Sequence, residues 1–420
     1  MITQQQDPIV FTPAAEEASP LLRFGCSRDR LHLALSTVSR AVSKSSVDLQ
    51  KMALLGYIRM EVKEGFLLLA ATNLDISITC KIELVEQEAI QEGVVAVPAR
   101  LFSELVSKIP DGCTVTVSVT PGMMLSLVHP RGTAEVRCLS AEEFLPIPRS
   151  EDGDLPVLLP IAQLKEIVKA VGVAAARDDT LPALTCLLVH VEKTRVVFAA
   201  TDRFRTAFQT LQLATESSVA CDLLIPHRSL AELCAVLPSD GMVMMSLTPN
   251  HGQVLFHTQW MTLSSRLLEG QFPNYQAAVP LRENRQTRLV VKTAEFRSAV
   301  ELTSIYANTM DGAIIISVKG SLGMEPGSLT VASERSEIGS GRNAITAAIE
   351  GVGLEEPVSF NARLLLDALA VTSTPDVSFE IGLMKLKPKD KEPITAPAAV
   401  LRAVGTNSCT HSFMSMATNK

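Results

Sequence analysis

Three acidic residues recur at domain-length spacing along the chain, and carboxylates are common general acids and bases. Asp75, Asp202 and Glu334 each stand shortly after a run of apolar residues. One interpretation is therefore a catalytic role for these carboxylates. Their place directly after a predicted strand agrees better with turn and cap chemistry, because acidic side chains accept hydrogen bonds from the backbone of a turn. We expect them to shape turns.

The histidines and cysteines show no spacing typical of metal binding or nucleophilic catalysis. The seven histidines form no HxH or HExxH sequence, and the eight cysteines form no CxxC pair. No P-loop, GxSxG or GxGxxG sequence occurs. Single cysteines within apolar runs predict reduced core residues of a cytoplasmic protein with no metal and no cofactor. An α+β hydrolase without a recognisable motif is the alternative, and it requires a deep pocket with perturbed acids.

The composition predicts several apolar cores and no membrane span. Hydrophobic residues make up 47% of the 420 residues, and aromatic residues only 4%. No apolar run approaches the roughly 18 residues that a transmembrane helix needs. The net charge of −7 argues against a protein coated in basic residues. It leaves room for a locally basic lining, because nucleic acid responds to the local field.

The elements that position these residues recur as well. The first recurring sequence occurs as Ala71–Asp75, Ala200–Arg205 and Ala332–Glu337, with starting points 129 and 132 residues apart. About 25 residues later, a second one occurs as Val97–Phe102, Ile225–Leu230 and Phe360–Leu365. A repeat of this length is a whole domain rather than a solenoid unit. The chain therefore contains three similar domains in tandem.

Each predicted domain contains two copies of a helix followed by strands. Apolar residues at helical spacing predict helices over 28–43, 161–176 and 293–308, and again within each second recurring sequence. Alternating residues predict antiparallel strands after every helix. The fold class is α+β, with three domains at 22–148, 149–280 and 281–420. Residues 1–21 are predicted to be a polar, disordered extension, and the charged, proline-rich residues 385–397 are predicted to be an insertion in the third domain.

The chain resembles the bacterial sliding clamp family, the beta subunit of DNA polymerase III, from about Leu22 to Met416. The stretches that carry the resemblance are Leu22–Leu31, Ala200–Asp202 with Arg205, Gln271–Tyr275 with Pro280, and Phe360–Leu365. The second is similar to the family's "ATDGHRL", and the third to its "FPDY…P" linker. The order and the domain-length spacing of these stretches make the resemblance specific.

The resemblance implies a non-catalytic processivity factor. In this family, two subunits join head to tail into a ring of six DNA clamp domains, with helices lining the hole and sheets outside. Double-stranded DNA threads the hole without sequence preference, because phosphate contacts carry no sequence information. The implied partners are a second copy of the chain, the DNA polymerase III alpha subunit, the clamp loader and other proteins with clamp-binding peptides. The implied place is the cytoplasm, with no membrane partner.

Basic residues on the predicted inner helices are the candidates for DNA binding. They are Lys44, Lys51, Arg100, Lys108, Lys165, Lys169, Arg177 and Arg228. Many such residues are ordinary solvated helix charges. Arg100 and Arg228 recur at the same place as Arg363, which favours a shared role, and that role is either contact with DNA or contact between helix and sheet.

The resemblance also implies a peptide-binding cleft between the second and third domains. The matching residues are Leu184, Thr201, Arg203, Phe204, Arg205, Thr206, Pro280, Asn361, Leu364, Phe413, Met414, Ser415 and Met416. Such peptides place aliphatic and aromatic anchors in an apolar pocket. Flexible methionines suit a pocket that accepts several partners.

This cleft is where the sequence departs from the family. Arg203-Phe204 replaces a Gly-His pair, Thr206 replaces a Leu, and Ser415 replaces a Pro. These residues change the bulk, charge and polarity of the pocket. We therefore expect an altered affinity for the usual peptides or inhibitors. The alternative function is a paralogous clamp that serves as a resistance copy or a repair-specific copy.

The resemblance places the ring interface at two segments. The edge strand at Ala134 and Val136 in the first domain is expected to meet the helix around Ile305 and Tyr306 in the third domain. An interface between two different surfaces closes into a ring when its rotation is right.

Overall fold

The computed structural model describes most of the chain. The described residues are 19–84, 90–148, 154–218, 220–307, 312–320, 327–335, 339–351, 353–386, 394–405 and 409–416. Residues 1–18 of the predicted extension and residues 387–393 of the predicted insertion lie outside them. The chain divides into two compact units, residues 1–149 with 259–263, and residues 150–258 with 264–420.

The first unit consists of helices packed against antiparallel strands. Its α-helices are Arg28–Val38 (α1), Ser46–Lys51 (α2) and Ala99–Lys108 (α3), with short 3-10 helices at Ser39–Ala41 and Ala53–Gly56. Its strands are Leu22–Ser27 (β1), Tyr57–Lys63 (β2), Phe66–Thr72 (β3), Ile76–Glu83 (β4), Gly93–Pro98 (β5), Thr114–Val119 (β6), Met124–His129 (β7) and Gly132–Arg137 (β8). The strand orders are β1-β6-β7-β8 and β5-β2-β3-β4.

The residue pattern explains these elements. In β2, every second side chain is buried, including Met60, because successive side chains of a strand point to opposite faces. In α1, Leu31, Leu35 and Val38 lie on one face and are fully buried. Burial of each such side chain contributes about 2 kcal/mol of hydrophobic free energy.

The remaining elements follow the same plan of helices on antiparallel strands. The α-helices are Ile161–Gly172 (α4), His227–Val236 (α5), Thr293–Ser304 (α6) and Ala362–Val371 (α7), and the 3-10 helices are Pro182–Thr185, Tyr275–Ala278 and Arg282–Asn284. The strands are Asp154–Pro160 (β9), Cys186–Val191 (β10), Arg195–Thr201 (β11), Arg205–Gln212 (β12), Cys221–Pro226 (β13), Met242–Leu247 (β14), Gln253–His257 (β15), Met261–Arg266 (β16), Arg285–Lys292 (β17), Ala313–Lys319 (β18), Gly327–Arg335 (β19), Gly339–Gly351 (β20), Val358–Asn361 (β21), Asp376–Leu386 (β22), Ile394–Ala403 (β23) and Thr410–Met414 (β24).

One long sheet connects the second and third predicted domains. Its order is β13-β10-β11-β12-β24-β23-β22-β17-β20-β19-β18-β21, and a smaller group has the order β16-β15-β14-β9. The strand β24 lies between β12 and β23, so backbone hydrogen bonds run from one domain to the other. The core of the third domain contains Phe296, Phe360 and Phe379, and the ring of Phe379 contacts each of the other two edge to face.

The predicted first helices are too long at their C-terminal ends. The sequence predicts helices over 28–43, 161–176 and 293–308. In the structure, the corresponding α-helices end at Val38, Gly172 and Ser304. After α1, the 3-10 helix keeps apolar residues in phase with the helix, so the periodicity continues past the helix end. At α4, Gly172 is a poor helix former and ends the regular hydrogen bonding.

A substitution at Gly172 tests how closely α4 and α5 pack. A Cβ atom at this position would overlap Nε2 of His227, the first residue of α5. Gly172→Ala, which in an open helix adds about 1 kcal/mol of stability, should here lower the free energy of unfolding by about 1–3 kcal/mol. Urea denaturation measures the change. In a His227→Ala background the same substitution should become neutral or stabilising, and a stabilising effect in the native background would contradict the packing.

Candidate functional site

The recurring sequence of the second domain forms a tight turn between β11 and β12. The hydroxyl of Thr201 donates to the carbonyl of Arg205 at 2.7 Å and accepts from the amide of Arg203 at 3.2 Å. Oδ1 of Asp202 accepts from the amides of Phe204 at 3.0 Å and Arg205 at 2.9 Å. The carboxylate of Asp202 therefore holds the turn together, as turn chemistry predicts.

The first domain builds the same turn with different side chains. The hydroxyl of Thr72 donates to the carbonyl of Ile76 and accepts from the amide of Leu74, both at 3.1 Å. Oδ1 of Asn73 accepts from the amides of Asp75 and Ile76. The counterpart of Asp202 is thus Asn73, and the prediction that paired Asp75 with Asp202 is wrong by two residues. The shared backbone explains the shared sequence without a catalytic carboxylate.

Each turn contains a non-glycine residue in a backbone conformation that favours glycine. Leu74 has φ 78° and Arg203 has φ 79°. For residues with a Cβ atom, this left-handed region costs about 1–2 kcal/mol. The family that the sequence resembles has glycine at the position of Arg203. The turn hydrogen bonds, rather than the intrinsic preference of Arg203, hold this conformation.

Arg205 connects the turn to the third domain. Its side chain is 5% exposed, its Nε donates to Oδ2 of Asp202 at 3.0 Å, and one terminal nitrogen donates to Oδ2 of Asp367 at 2.9 Å. Asp367 lies on α7 and is also 3.7 Å from Arg177. A buried guanidinium with two carboxylate partners has compensation for its loss of hydration.

The strand β24 completes the site from the C-terminal side. Arg205 is opposite Phe413, and Thr206 is opposite Ser412 in the antiparallel pair β12–β24. The hydroxyl of Ser412 donates to the carbonyl of Ala278 at 2.6 Å, which attaches the linker between the domains to this strand.

Two neighbouring cavities lie around the turn. The linker cavity, of about 260 Å³, is bounded by the turn, the segment 273–278 and β24. The helix cavity, of about 290 Å³, is bounded by the segment 175–184, the turn and the start of α7. Arg203 and Arg205 line both cavities. The pair therefore forms one divided groove.

The cavities bring together nine of the thirteen predicted cleft residues. Besides the two arginines, these are Thr201, Thr206 and Met414 in the linker cavity, and Leu184, Phe204, Asn361 and Leu364 in the helix cavity. Pro280, Phe413, Ser415 and Met416 line neither. The ring of Phe413 is 2% exposed and packs in the core of the third domain, so it supports the site from beneath.

Sequence reasoning missed several lining residues. In the linker cavity these include Pro273, Asn274 and Tyr275. The linker stretch Gln271–Tyr275 is one of those that resemble the family. Its aromatic residue, Tyr275, is the feature of the sequence that could have indicated a cavity here. In the helix cavity, the missed residues include Asp178 and Arg363. Arg363 recurs at the same place as Arg100 and Arg228, which indicates that the position matters but not that it lines a cavity.

The predicted DNA-binding residues divide into three groups. Six are exposed and stay predictions: Lys44, Lys51, Arg100, Lys108, Lys169 and Arg228. Lys165 is half-buried, and its ammonium donates to the carbonyl of Leu237 at 2.7 Å, which occupies one of its donors at the end of α5. Arg177 lines the helix cavity, so the structure places it at the cleft.

The predicted interface residues also differ among themselves. Among the described residues, β8 is an outer strand of its sheet, but the side chain of Val136 is 2% exposed and faces the core, so only its backbone is available. Ala134 is partly exposed. Ile305 is 70% exposed. The ring of Tyr306 packs on Gly339 and Gly341, where a Cβ atom at Gly341 would lie 2.5 Å from it.

The described residues show no cluster of His, Cys, Asp or Glu that could hold a metal ion. Within the same part of the chain, no helix is long and apolar enough to cross a membrane.

Family models match the chain in three consecutive segments. The models describe the N-terminal, central and C-terminal domains of the DNA polymerase III beta subunit, and they match residues 22–148, 158–274 and 279–388.

Curated relatives are similar over most of the chain. A beta sliding clamp of Synechococcus elongatus is 28% identical over 367 residues, which are 86% of this chain and 93% of that protein. A beta sliding clamp of Bacillus subtilis is 27% identical over 363 residues, 85% of this chain and 92% of that protein.

Solved structures have the same fold. A DNA polymerase sliding clamp from Bacillus subtilis has a TM-score of 0.83 at 25% identity and covers 95% of this chain and 100% of its own. A sliding clamp from Pseudomonas aeruginosa bound to griselimycin has a TM-score of 0.81 at 21% identity and covers 94% and 99%. The predicted α+β class with three clamp domains is confirmed.

A buried histidine beside the cleft predicts a pH-dependent stability. Burial, together with the nearby charge of Arg205, lowers the pKa of His411 from 6.5 to about 4. The unfolded chain then binds more protons between these values, so stability is lost as the pH falls from 6.5 toward 4. The loss is roughly 3 kcal/mol when complete. Urea denaturation at pH 7 and pH 4.5 measures it.

The control for this measurement is His411→Leu, which removes the titrating group and leaves other groups in place. Its unfolding free energy should change less between the two pH values than that of the native chain. An equal change in both proteins would contradict the role of His411.

Proposed function

The chain belongs to the family of DNA polymerase III beta subunits, and from this premise we propose that it acts as a sliding clamp, which holds a polymerase on duplex DNA. The observation that carries the proposal is the consecutive match of all three domain models along one chain. The curated relatives carry the name of beta sliding clamps. A clamp needs no catalytic group, and the turn role of Asp202 agrees with a non-catalytic protein.

In the proposed assembly, two copies close head to tail around DNA. A contact between two different surfaces gives a finite ring when its rotation closes. Exposed lysines and arginines, such as Lys108 and Arg228, attract the phosphate backbone through counterion release without fixing a register. Linkage of a closed ring to its DNA, rather than affinity, then keeps the polymerase in place. The expected place of action is the cytoplasm, where bacterial DNA lies.

The divided groove is the proposed docking site for partner proteins. Its cavities of about 260 and 290 Å³ offer room for aliphatic or aromatic anchors of a short peptide. The polymerase alpha subunit, the clamp loader and other proteins with clamp-binding peptides are the proposed partners. Met414 lines the linker cavity, and its flexible thioether suits varied anchors.

A second candidate function is that of a paralogous clamp, serving as a resistance copy or a repair-specific copy. Arg203 favours it, because this residue lines both cavities and the family has glycine at its position. Phe204 adds an aromatic ring that is 62% exposed at the rim of the helix cavity. Both changes alter what the groove accepts without any change in the ring itself.

Loading onto DNA tests the proposed clamp directly. The chain, with its clamp loader and ATP, should be retained on nicked circular DNA during gel filtration at moderate salt. Linearisation of the circle should release most of it, because a ring slides off a free end. Equal retention on circular and linear DNA would indicate ordinary binding and contradict the proposal.

Substitution at Ile305 tests the proposed ring interface. Sedimentation at micromolar concentration should show a dimer, and Ile305→Asp should raise the dissociation constant by about tenfold or more, because an interface that buries this side chain would have to bury a carboxylate. The matched control is Leu281→Asp, at another exposed aliphatic residue, which is 61% exposed. Sedimentation of the native chain as a monomer only would contradict the dimer, and an unchanged dimer of Ile305→Asp would contradict this interface.

A further inference from the structure

One face of the second domain exposes apolar side chains on two neighbouring strands. In the antiparallel pair of β9 and β14, Leu158 lies opposite Met244, and Pro160 lies opposite Met242. Leu158 is 48% exposed and Met242 is 46% exposed, while Pro160 and Met244 are half-buried. Residues that lie opposite each other in a pair of strands stand on the same face of the sheet. These four side chains therefore form one surface, the methionine patch.

The protein core uses the other face of the same strands. Val243 and Met245 of β14 are buried, as are Val157 and Leu159 of β9, because successive side chains of a strand point to opposite faces. Within the described residues, no member of the methionine patch lines either cavity of the groove. The patch is therefore separate from the core and from the proposed docking groove.

The first domain has polar or small side chains at the corresponding places. The strand β1 ends directly before α1, as β9 ends directly before α4. The two cross-strand pairs at the corresponding places are Ser27 with Thr114 and Gly25 with Thr116. This part of the domain can therefore be built without exposed apolar pairs.

The third domain has charged or polar side chains in these pairs. The strand β17 ends directly before α6, and the corresponding pairs are Lys292 with Asp376 and Val290 with Ser378. The ammonium of Lys292 lies 3.0 Å from the carboxylate of Asp376. Of the three domains, only the second has apolar residues on both strands of both pairs. The fold does not require the methionine patch, which favours a role of the patch in binding.

The segments around the methionine patch carry negative formal charge. Residues 150–160 and 237–257, which contain β9, β14 and β15, include no lysine or arginine. They include four carboxylic acids, namely Glu151, Asp152, Asp154 and Asp240. Asp240 is exposed and stands two residues before Met242. A surface of one sign attracts partners of the opposite sign and repels polyanions, so charge disfavours DNA and anionic lipid here.

We propose that the methionine patch is a second docking surface, and that its occupant is a partner helix whose apolar side is flanked by lysine or arginine. In layered folds, a helix covers the apolar face of a sheet with a stripe of apolar residues. Unbranched methionine side chains adapt to such a stripe. The acidic segments select the flanking charges. This inference goes beyond the proposed function and does not depend on the ring or on the groove.

The N-terminal residues of the chain itself are a less suitable occupant. Residues 1–18 contain Asp7, Glu16 and Glu17 and no lysine or arginine. Charges of the same sign on both surfaces oppose their contact. A basic partner helix has the complementary charge.

Fluorescence polarisation with matched helical peptides tests the proposal at physiological salt. The labelled lysine probe is Lys-Leu-Ala-Lys-Leu-Leu-Ala-Lys-Leu-Ala-Lys-Leu-Leu-Lys, which places leucine on one side of a helix and lysine beside it. A glutamate probe has Glu in place of every Lys. A reordered probe contains the residues of the lysine probe in an order that spreads the leucines around the helix. The native chain should bind the lysine probe about tenfold more tightly than either of the others.

Substitutions within the methionine patch assign the binding to it. Met242→Thr and Met244→Thr reproduce the threonines of the first domain, and threonine suits a strand, so both variants should fold. Each should weaken binding of the lysine probe by about fivefold or more, because apolar contact is lost. Met244→Leu should stay within about twofold of the native chain, since the surface remains apolar. Asp240→Asn should weaken binding by about twofold, as expected for an exposed charge.

Three matched controls lie outside the methionine patch. Val290→Thr makes the same kind of change in the corresponding pair of the third domain. Glu104→Gln removes an exposed carboxylate of α3, and Arg203→Gly alters the groove. Each of these variants should bind the lysine probe as tightly as the native chain.

Nuclear magnetic resonance of isotope-labelled methionine gives a readout that needs no substitution. On addition of the lysine probe, the methyl signals of Met242 and Met244 should shift, because the probe covers these side chains. The signal of Met60, which is fully buried in the first domain, should stay in place.

Several results would overturn the inference. Equal binding of the lysine and glutamate probes removes the charge complementarity, and equal binding of the reordered probe removes the apolar side of the helix. Native affinity in both threonine variants, with no shift of the two methyl signals, places the probe elsewhere. A chain without residues 1–18 that binds the lysine probe about tenfold more tightly assigns the patch to those residues. A native assembly larger than a dimer that Met242→Thr dissolves assigns the patch to another copy of the chain.

Discussion

The cleft depends on a single buried cation. Arg205 gives up most of its hydration, and this loss is tolerated only because Asp202 and Asp367 stand within hydrogen-bond distance. Asp202 belongs to the turn of the second domain, and Asp367 belongs to α7 of the third. The backbone of the same arginine pairs with Phe413 in β24. One residue thus fixes the spacing of turn, helix and strand, and the two cavities exist only where these three elements meet.

The first domain shows what the turn does without that cation. It repeats the hydrogen bonds of the hydroxyl and of the side-chain carbonyl, but Ile76 stands where the second domain has Arg205. The turn is therefore a scaffold that the first and second domains share, and the side chains placed on it decide whether a site forms. Arg203 is an addition of this kind, since its backbone conformation already existed in the turn and required only a residue that tolerates the strain.

Local sequence patterns predict much of the secondary structure. The alternation of β2 and the helical period of α1 depend on near neighbours, so the sequence predicts them well. Contacts between distant residues escaped prediction. Lys165 reaches the carbonyl of Leu237, 72 residues away, and Val136 turns inward although its strand lies at an outer position. The resemblance supplied the cleft residues, but which of them line a cavity depends on how β24 packs, and this is why Phe413 supports the site while Met414 lines it.

The placement of β24 bears on the order in which the molecule is made. The strand β12 is synthesised about two hundred residues before the segment Thr410–Met414 that pairs with it. On the ribosome, β12 has an open edge during that interval, and open edges invite pairing with other chains. The proposed docking groove is consequently among the last parts of the molecule to form. A nascent chain can fold its earlier domains before the proposed docking groove exists.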